Sequence, residues 1–266
     1  MSARAVPLAI IYDFDGTLAP GNMQDRQFVP DVGMTAADFW REVDALSDET
    51  QADKILSYMY VMLEKAKSAG RPVRREDLVA WSRDIEYFPG VESWFGRIDG
   101  YGQGKGVSVE HYVISSGNSE IIEGTSIAHR FSRIYASRFL YDAGGAAVWP
   151  ALAINFTTKT QYLFRINKGA HDLNDSFAIN RYVPQSERPV PFQNMVYIGD
   201  GETDVPCFRL VKDLGGLSIA VYAHGAREQA ERYRDEGRVN CVVPADYSEG
   251  GELDNVVKSY INLLAL

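Results

Sequence analysis

The stretch Leu8-Ala9-Ile10-Ile11-Tyr12-Asp13-Phe14-Asp15-Gly16-Thr17-Leu18 decides the fold. A short apolar run, rich in Ile and Tyr, stops abruptly at an acid, as a buried strand does. Two carboxylates then flank one Phe where the strand ends, and local irregularity there can bring both towards one cleft. Similar runs occur at 111–114, 195–198, 217–222 and 241–243, each ending at or soon before Asp, Ser, Gly or Pro. Helical spacing alternates with most of them, at 119–128, 160–167, 204–212, 226–235 and 252–264. Strand–helix alternation predicts an α/β fold: a parallel sheet with helices on both faces, three layers deep. In such a sheet ligands bind beyond the carboxyl ends of the strands, so the residues just after each strand carry the functional reading.

Those residues are chemically loaded. After the second run comes Ser115-Ser116-Gly117-Asn118, and after the third comes Gly199-Asp200-Gly201-Glu202-Thr203-Asp204. Between them, Lys159 opens a helical pattern. Asp13, Asp15, Asp200 and Asp204 on one sheet edge would repel one another and raise each other's pKa. A hard divalent cation relieves that repulsion, and a site with few carboxylates that also takes substrate oxygens suits Mg²⁺ better than Ca²⁺. An EF-hand loop beginning at Asp13 would need Gly at 18 and Glu at 24, where the chain has Leu18 and Gln24. With the Lys159 ammonium and the Ser115 hydroxyl, the cluster makes a receptor for a dianionic phosphoryl group. Its free carboxylates are then available as nucleophile and as general acid/base. Ser116 is the alternative hydroxyl. Lys168 is the alternative lysine, although its place in Asn167-Lys168-Gly169 also suits a cation at a helix C-terminus.

The stretch 20–87 breaks the alternation. Helix-like spacing recurs at 35–46, 52–67 and 76–87 without an intervening strand, and Pro89-Gly90 closes the last of them. This predicts a helical cap over 20–87 inserted into a core made of 1–19 and 88–266. Phe28, Phe39, Trp40, Tyr58, Met59, Tyr60 and Met62 give the cap aromatic and Met content, read either as helix packing or as the apolar wall of a leaving-group pocket. The glycine-rich run 100–106 precedes a strand rather than following one and opening a helix, so it reads as a plain loop. Arg181 to Phe192, with three prolines, reads as an ordered loop or lid.

These residues, in this order, resemble the haloacid dehalogenase-like hydrolase superfamily, and the helical insertion sits where its phosphoserine phosphatase-like branch places a cap. The resemblance covers the core and implies a Rossmann-like fold. It implies Asp13 as the nucleophile that becomes an aspartyl-phosphate, and Asp15 as the acid that protonates the leaving oxygen and later deprotonates water. It further implies Ser115 and Lys159 on the phosphoryl oxygens. Mg²⁺ would be held by Asp13, Asp200 and the backbone carbonyl of Asp15, with Asp204 supporting it directly or through water. The presence of Asp15 points to phosphoryl transfer rather than dehalogenation. The chain departs from that branch at Gly16, where the branch has Ser, and at Asn22, where it has a Glu that receives the substrate's ammonium. Hydrolysis of a small phosphorylated metabolite is the reading that follows, with phosphoryl transfer to another acceptor, as in a mutase, as the second. A phospho-Asp receiver module is disfavoured by the chain length of 266 residues and by the second acid.

Composition bounds the partners. Lys+Arg 27 against Asp+Glu 36 leaves a net charge of −9, which argues against nucleic acid and against an acidic membrane surface. The two cysteines, Cys207 and Cys241, read as buried reduced thiols. With no signal-peptide pattern and no long apolar run, the expectation is a cytoplasmic protein.

Overall fold

A computed structural model describes residues 5–266. Its spine is a seven-stranded sheet in the order β4-β3-β2-β1-β5-β6-β7. The strands are β1 Val6–Tyr12, β2 Val107–Asn118, β3 Arg133–Tyr141, β4 Ala147–Leu152, β5 Met195–Gly199, β6 Leu217–Tyr222 and β7 Cys241–Pro244. All neighbours pair in parallel except β3 and β4, which are antiparallel. Both faces of β1 are covered, which is why its sequence is apolar without alternation. Leu8, Ile10 and Tyr12 enter one apolar cluster with Trp94, Phe95, Val257 and Ile261. Ala9 and Ile11 enter the opposite one with Leu163, Ile166, Phe208 and Val211. The two clusters are the two sheet–helix interfaces of a three-layer α/β/α body.

β1 lies between β2 and β5, so the chain first builds outward through β2, β3 and β4 and then crosses back to β5. That reversal opens a crevice beyond the carboxyl ends of β1, β2 and β5. Tyr12 stands level with Val113 on one side and Ile198 on the other. The first acid after β1 is therefore delivered to the middle of the crevice.

Between β1 and β2 the chain forms the helices Ala36–Thr50, Lys54–Ser68 and Arg75–Trp81. Thr35 caps the first by accepting the Asp38 N–H, and Asp53 caps the second by accepting the N–H groups of Ile55 and Leu56. Phe39, Val43, Met59 and Met62 form the buried stripe, and Phe28 meets Phe39 edge-on with ring centroids 5.8 Å apart. These residues join the same apolar cluster as one face of the sheet. The Val73 carbonyl accepts the Ala147 N–H at 2.8 Å, which ties the segment to the β3–β4 hairpin.

Three sequence readings are corrected. The hairpin β3–β4 adds two strands to the five read from the apolar runs. The helix Val91–Gly104 extends through most of the 100–106 stretch expected as a loop. Trp94, Phe95 and Ile98 bury one side of it, and Gly102 lets it close on β2, since a Cβ there would lie 2.7 Å from Val109 Cγ2. The pattern at 119–128 yields only the short helix Ser119–Glu123 and a 3-10 turn at Ala128–Arg130. Cys207 is buried, Cys241 only partly so, and both are free thiols. No helix among the described residues is long and apolar enough to cross a membrane.

Candidate active site

The acids after β1 and β5 do meet. Carboxylate oxygens of Asp13, Asp200 and Asp204 all lie within 4.8 Å of one another. The Asp13 N–H donates to the Ile198 carbonyl at 2.9 Å, so the sheet ladder itself extends to the site. Beyond it, Phe14 is fully buried and anchors a tight turn in which the Gly16 N–H reaches the Ala19 carbonyl at 2.7 Å. That turn puts Asp13 and Asp15 on either side of a buried ring while keeping both carboxylates at the crevice.

Lys159, at the start of the helix Lys159–Lys168, is wholly buried and bridges the cluster. Its Nζ lies 2.8 Å from Asp13 Oδ2, 2.8 Å from Asp204 Oδ1 and 3.2 Å from Thr203 Oγ1. Lys168 lies at the other end of the same helix and donates to the carbonyls of Ile179 at 2.7 Å and Arg181 at 3.0 Å. The structure thus brings Lys159, not Lys168, to the acids.

Asp204 is the most constrained member. Its Oδ1 accepts from Lys159 and from the Tyr197 hydroxyl at 2.7 Å, and its Oδ2 accepts the N–H groups of Asp200 at 3.1 Å and Gly201 at 3.2 Å. Four bonds use both oxygens, so Asp204 positions Lys159 and the Asp200 turn. Asp200 is less committed: Thr17 Oγ1 donates to its Oδ1 at 3.0 Å, and among the described residues no donor reaches Oδ2. A divalent cation therefore fits here. Asp13 and Asp200 offer the oxygens, and the residues present supply only one balancing ammonium.

The electrostatics agree. Burial pushes the Asp13 carboxyl up to about 6; Lys159 opposes the shift and Asp204 adds to it. Burial, then Asp204 and Asp13, push Asp200 up to about 8. Burial and the neighbouring Asp13 raise Asp15 well above the usual carboxylate range. Burial opposes the charge on Lys159, but Asp13 and Asp204 outweigh it and hold the ammonium above its ordinary range. Asp13, Asp15 and Asp200 each carry a penalty in the charged form that a cation would offset.

Ser115 and Ser116 sit at the end of β2, where the pairing with β3 slips between Ser115 and Asn118. Ser115 Oγ accepts the Gly117 N–H at 3.0 Å. Among the described residues Ser116 Oγ is buried without a partner, so both its donor and its acceptor capacity are unspent, whereas Ser115 keeps its O–H donor. Asp15 Oδ1 accepts the Met23 N–H at 3.1 Å, a bond from the segment leading into the helices. From those helices the Tyr58 hydroxyl donates to the Ser116 carbonyl at 2.8 Å.

A cavity of about 410 Å³ opens on the cluster and is lined by Asp13, Asp15, Ser115, Ser116 and Asp200. Asn22, Gln24, Trp40, Lys54, Ile55, Tyr58, Phe156 and Glu202 are among the other residues of its wall. Of the aromatic and Met residues singled out in the sequence, Phe28, Phe39, Met59 and Met62 are packing residues, Tyr60 is exposed, and Trp40 and Tyr58 reach the cavity. Thr17 and Phe156 were not singled out for a role, whereas Thr203, read with Glu202 as either tuning a metal or lying in a solvated loop, meets Lys159 Nζ at 3.2 Å. Thr17 belongs to the first acidic motif, but nothing local marks Phe156, which precedes Lys159 by three positions in an irregular segment.

Gly16 explains one departure from the resembled branch. Its φ is +72°, and a Cβ there would fall 2.1 Å from Asp200 Oδ2. The left-handed backbone alone costs any other residue about 1–3 kcal/mol. Gly16→Ala should therefore displace Asp200 and weaken any divalent cation held by Asp13 and Asp200 at least about tenfold. A Mg²⁺ binding titration, with the folded fraction checked by circular dichroism, measures this.

A family model described as haloacid dehalogenase-like hydrolase matches residues 10–209. An uncharacterized protein of Borreliella burgdorferi is 28% identical over 99% of both chains. Among solved structures, a HAD-family hydrolase from Salmonella enterica serovar Typhi superposes with a TM-score of 0.62 at 15% identity, covering 95% of this chain and 71% of that one. A substrate-bound phosphoserine phosphatase gives a TM-score of 0.58 at 16% identity, covering 95% of this chain and 98% of that one. These likenesses in structure show a shared fold.

Proposed function

The chain belongs to the haloacid dehalogenase-like hydrolase family, and from that premise we propose that it is a Mg²⁺-dependent phosphomonoesterase acting on a small phosphorylated metabolite through an aspartyl-phosphate. The observation that carries this reading is the buried Lys159 bridging Asp13 and Asp204 beside an open Asp200 carboxylate. A second acid, Asp15, sits on the same crevice.

The residues divide the work. Asp13, held by the ladder and by Lys159, attacks phosphorus; its oxygen–phosphorus bond forms as the bond from phosphorus to the leaving oxygen breaks. Asp15, whose carboxyl burial and then Asp13 hold above the usual range, acts as the acid that gives a proton to the departing oxygen. It then takes a proton from the water that attacks phosphorus and restores Asp13. Lys159 and the hydroxyls of Ser115 and Ser116 stabilise charge on the equatorial oxygens, mainly electrostatic work in a dry site. Asp13, Asp200 and the Asp15 carbonyl would hold Mg²⁺, which when bound neutralises phosphoryl charge and orients the group. Asp204 keeps Lys159 and Asp200 in place. Phosphoserine, the substrate named for the similar phosphatase, is disfavoured here because Asn22 offers no charge to an ammonium.

Purified protein with Mg²⁺ should hydrolyse p-nitrophenyl phosphate, releasing p-nitrophenol and phosphate in equal amounts, and EDTA should suppress it. Release insensitive to EDTA, or none with any of several dozen phosphorylated metabolites, would refute the reading.

A further inference from the structure

The cavity has two ends of different chemistry. Asp13, Asp15, Asp200 and the two serines occupy one end, with Lys159 buried behind them. The wall beyond them is built from Trp40, Ile55, Tyr58 and Phe156, with Lys54 the one cationic side chain and Asn22 and Gln24 the neutral polar ones. About 410 Å³ is far more than a phosphoryl group fills and lies in the range of sites that enclose a ring-bearing ligand.

The aromatic wall is not simply core. Ile55 and Tyr58 are nearly buried, but Phe156 is 40% exposed at the mouth, on the irregular segment just before Lys159. The Trp40 indole is fixed by its Nε1 donating to Asp25 Oδ1 at 2.7 Å, and its ring meets Tyr58 at a centroid distance of 6.0 Å. The Tyr58 hydroxyl is spent on the Ser116 carbonyl, so it presents its ring to the cavity rather than a free donor. Lys54 begins the helix Lys54–Ser68 and pairs with Asp44 at 2.6 Å, with both side chains about half exposed at 49% and 50%. An ion pair that open to solvent is worth little and exchanges readily for another anion. The only acid of the lining outside the Asp13, Asp15 and Asp200 group is Glu202, two positions after Asp200 on the turn that Asp204 holds.

We infer that this end selects a planar, aromatic leaving group carrying a carboxylate or similar anionic group, stacked against Trp40 and Phe156 and met by Lys54. The inference rests on the phosphomonoesterase reading above and narrows its substrate class. The ring faces supply sequestered apolar area, and the Lys54 ammonium supplies a charge of opposite sign to the acids at the phosphoryl end.

The test is kcat/KM with Mg²⁺ for three aryl phosphates whose para substituents are insulated by a methylene, so that leaving-group acidity is matched: 4-(carboxymethyl)phenyl, 4-methylphenyl and 4-(aminomethyl)phenyl phosphate. Acetyl phosphate, too small to reach the wall, serves as the reference. The carboxymethyl compound should exceed the aminomethyl one by at least about fivefold. Lys54→Gln should bring the ratio of carboxymethyl to methyl close to one, and Phe156→Ala should lower all three aryl compounds relative to acetyl phosphate. Equal kcat/KM for the three aryl phosphates, a preference for the ammonium, or a ratio unmoved in Lys54→Gln overturns the inference while leaving the hydrolase reading intact. No turnover of any compound, acetyl phosphate included, overturns the hydrolase reading and this inference with it.

Discussion

Asp13→Asn should abolish phosphatase turnover, with a fall in kcat of at least about 10³-fold, while leaving a folded protein. The amide is nearly isosteric and keeps an oxygen for the Phe14 N–H, now 2.7 Å from Asp13 Oδ1. It cannot form an acyl-phosphate that water then opens. The fold tolerates the change because Lys159 retains Asp204 and Thr203 as partners. Burial already raises the Asp13 carboxyl to about 6, so replacing a penalised charge with a neutral group relieves part of that cost. Steady-state kinetics beside a urea melt gives both halves of the result. A variant that still turns over at more than a few per cent of the parent rate would remove Asp13 from the role of nucleophile.

Lys159→Met should lower stability by about 3–5 kcal/mol and activity together, the largest stability effect expected of a single substitution at this site. The side chain is wholly buried and is the cation between Asp13 and Asp204. Methionine fills the volume but leaves two carboxylates without a positive partner in a desolvated place. The Asp13 carboxyl is raised by burial even with Lys159 beside it, so the penalty of its charged form is present at neutral pH and disappears once it is protonated. The deficit relative to the parent should therefore shrink as pH falls. Urea midpoints measured with EDTA across mildly acidic to neutral pH test the sign. Lys168→Met, at the far end of the same helix, should leave turnover within about twofold, since Lys168 reaches only the carbonyls of Ile179 and Arg181.

What the chain discloses without its coordinates depends on how local the physical signal is. Asp13, Asp15, Asp200 and Lys159 are legible because each immediately follows a buried strand or opens a helix, and because uncompensated carboxylates demand a cation. The long strand β3 is not legible because tertiary context alone buries it; its exposure is irregular, with Arg133, Arg138 and Leu140 facing solvent. β4 is an edge strand whose Val148 and Trp149 are exposed, so neither alternation nor a continuous apolar run marks it. The helix Val91–Gly104 defeats propensity altogether. Four glycines between 96 and 104 weaken it as a helix, and it persists through the packing of Trp94, Phe95 and Ile98 and the close approach at Gly102. The choice between Lys159 and Lys168 also needed three dimensions, because both lie on one helix and only its N-terminal end faces the acids. Phe156 gave no signal, since an aromatic in an irregular segment is informative only once its cavity is known.

The contact between Gly16 and Asp200 also bears on how this chain can change over generations. Thr17 and Asp200 are 183 positions apart, yet one donates to the other and the neighbouring glycine lies against the same carboxylate. A side chain at 16 is inaccessible until the turn at 200 has moved, and a shifted turn at 200 loses its hydroxyl unless 17 moves with it. Selection thus meets the two distant segments as one heritable unit, in which a mutation tolerated beside one arrangement of the partner disrupts the site beside another. Trp40 and Lys54, on the helices between β1 and β2, line the same cavity but take no part in that contact, so they can vary without moving the acids.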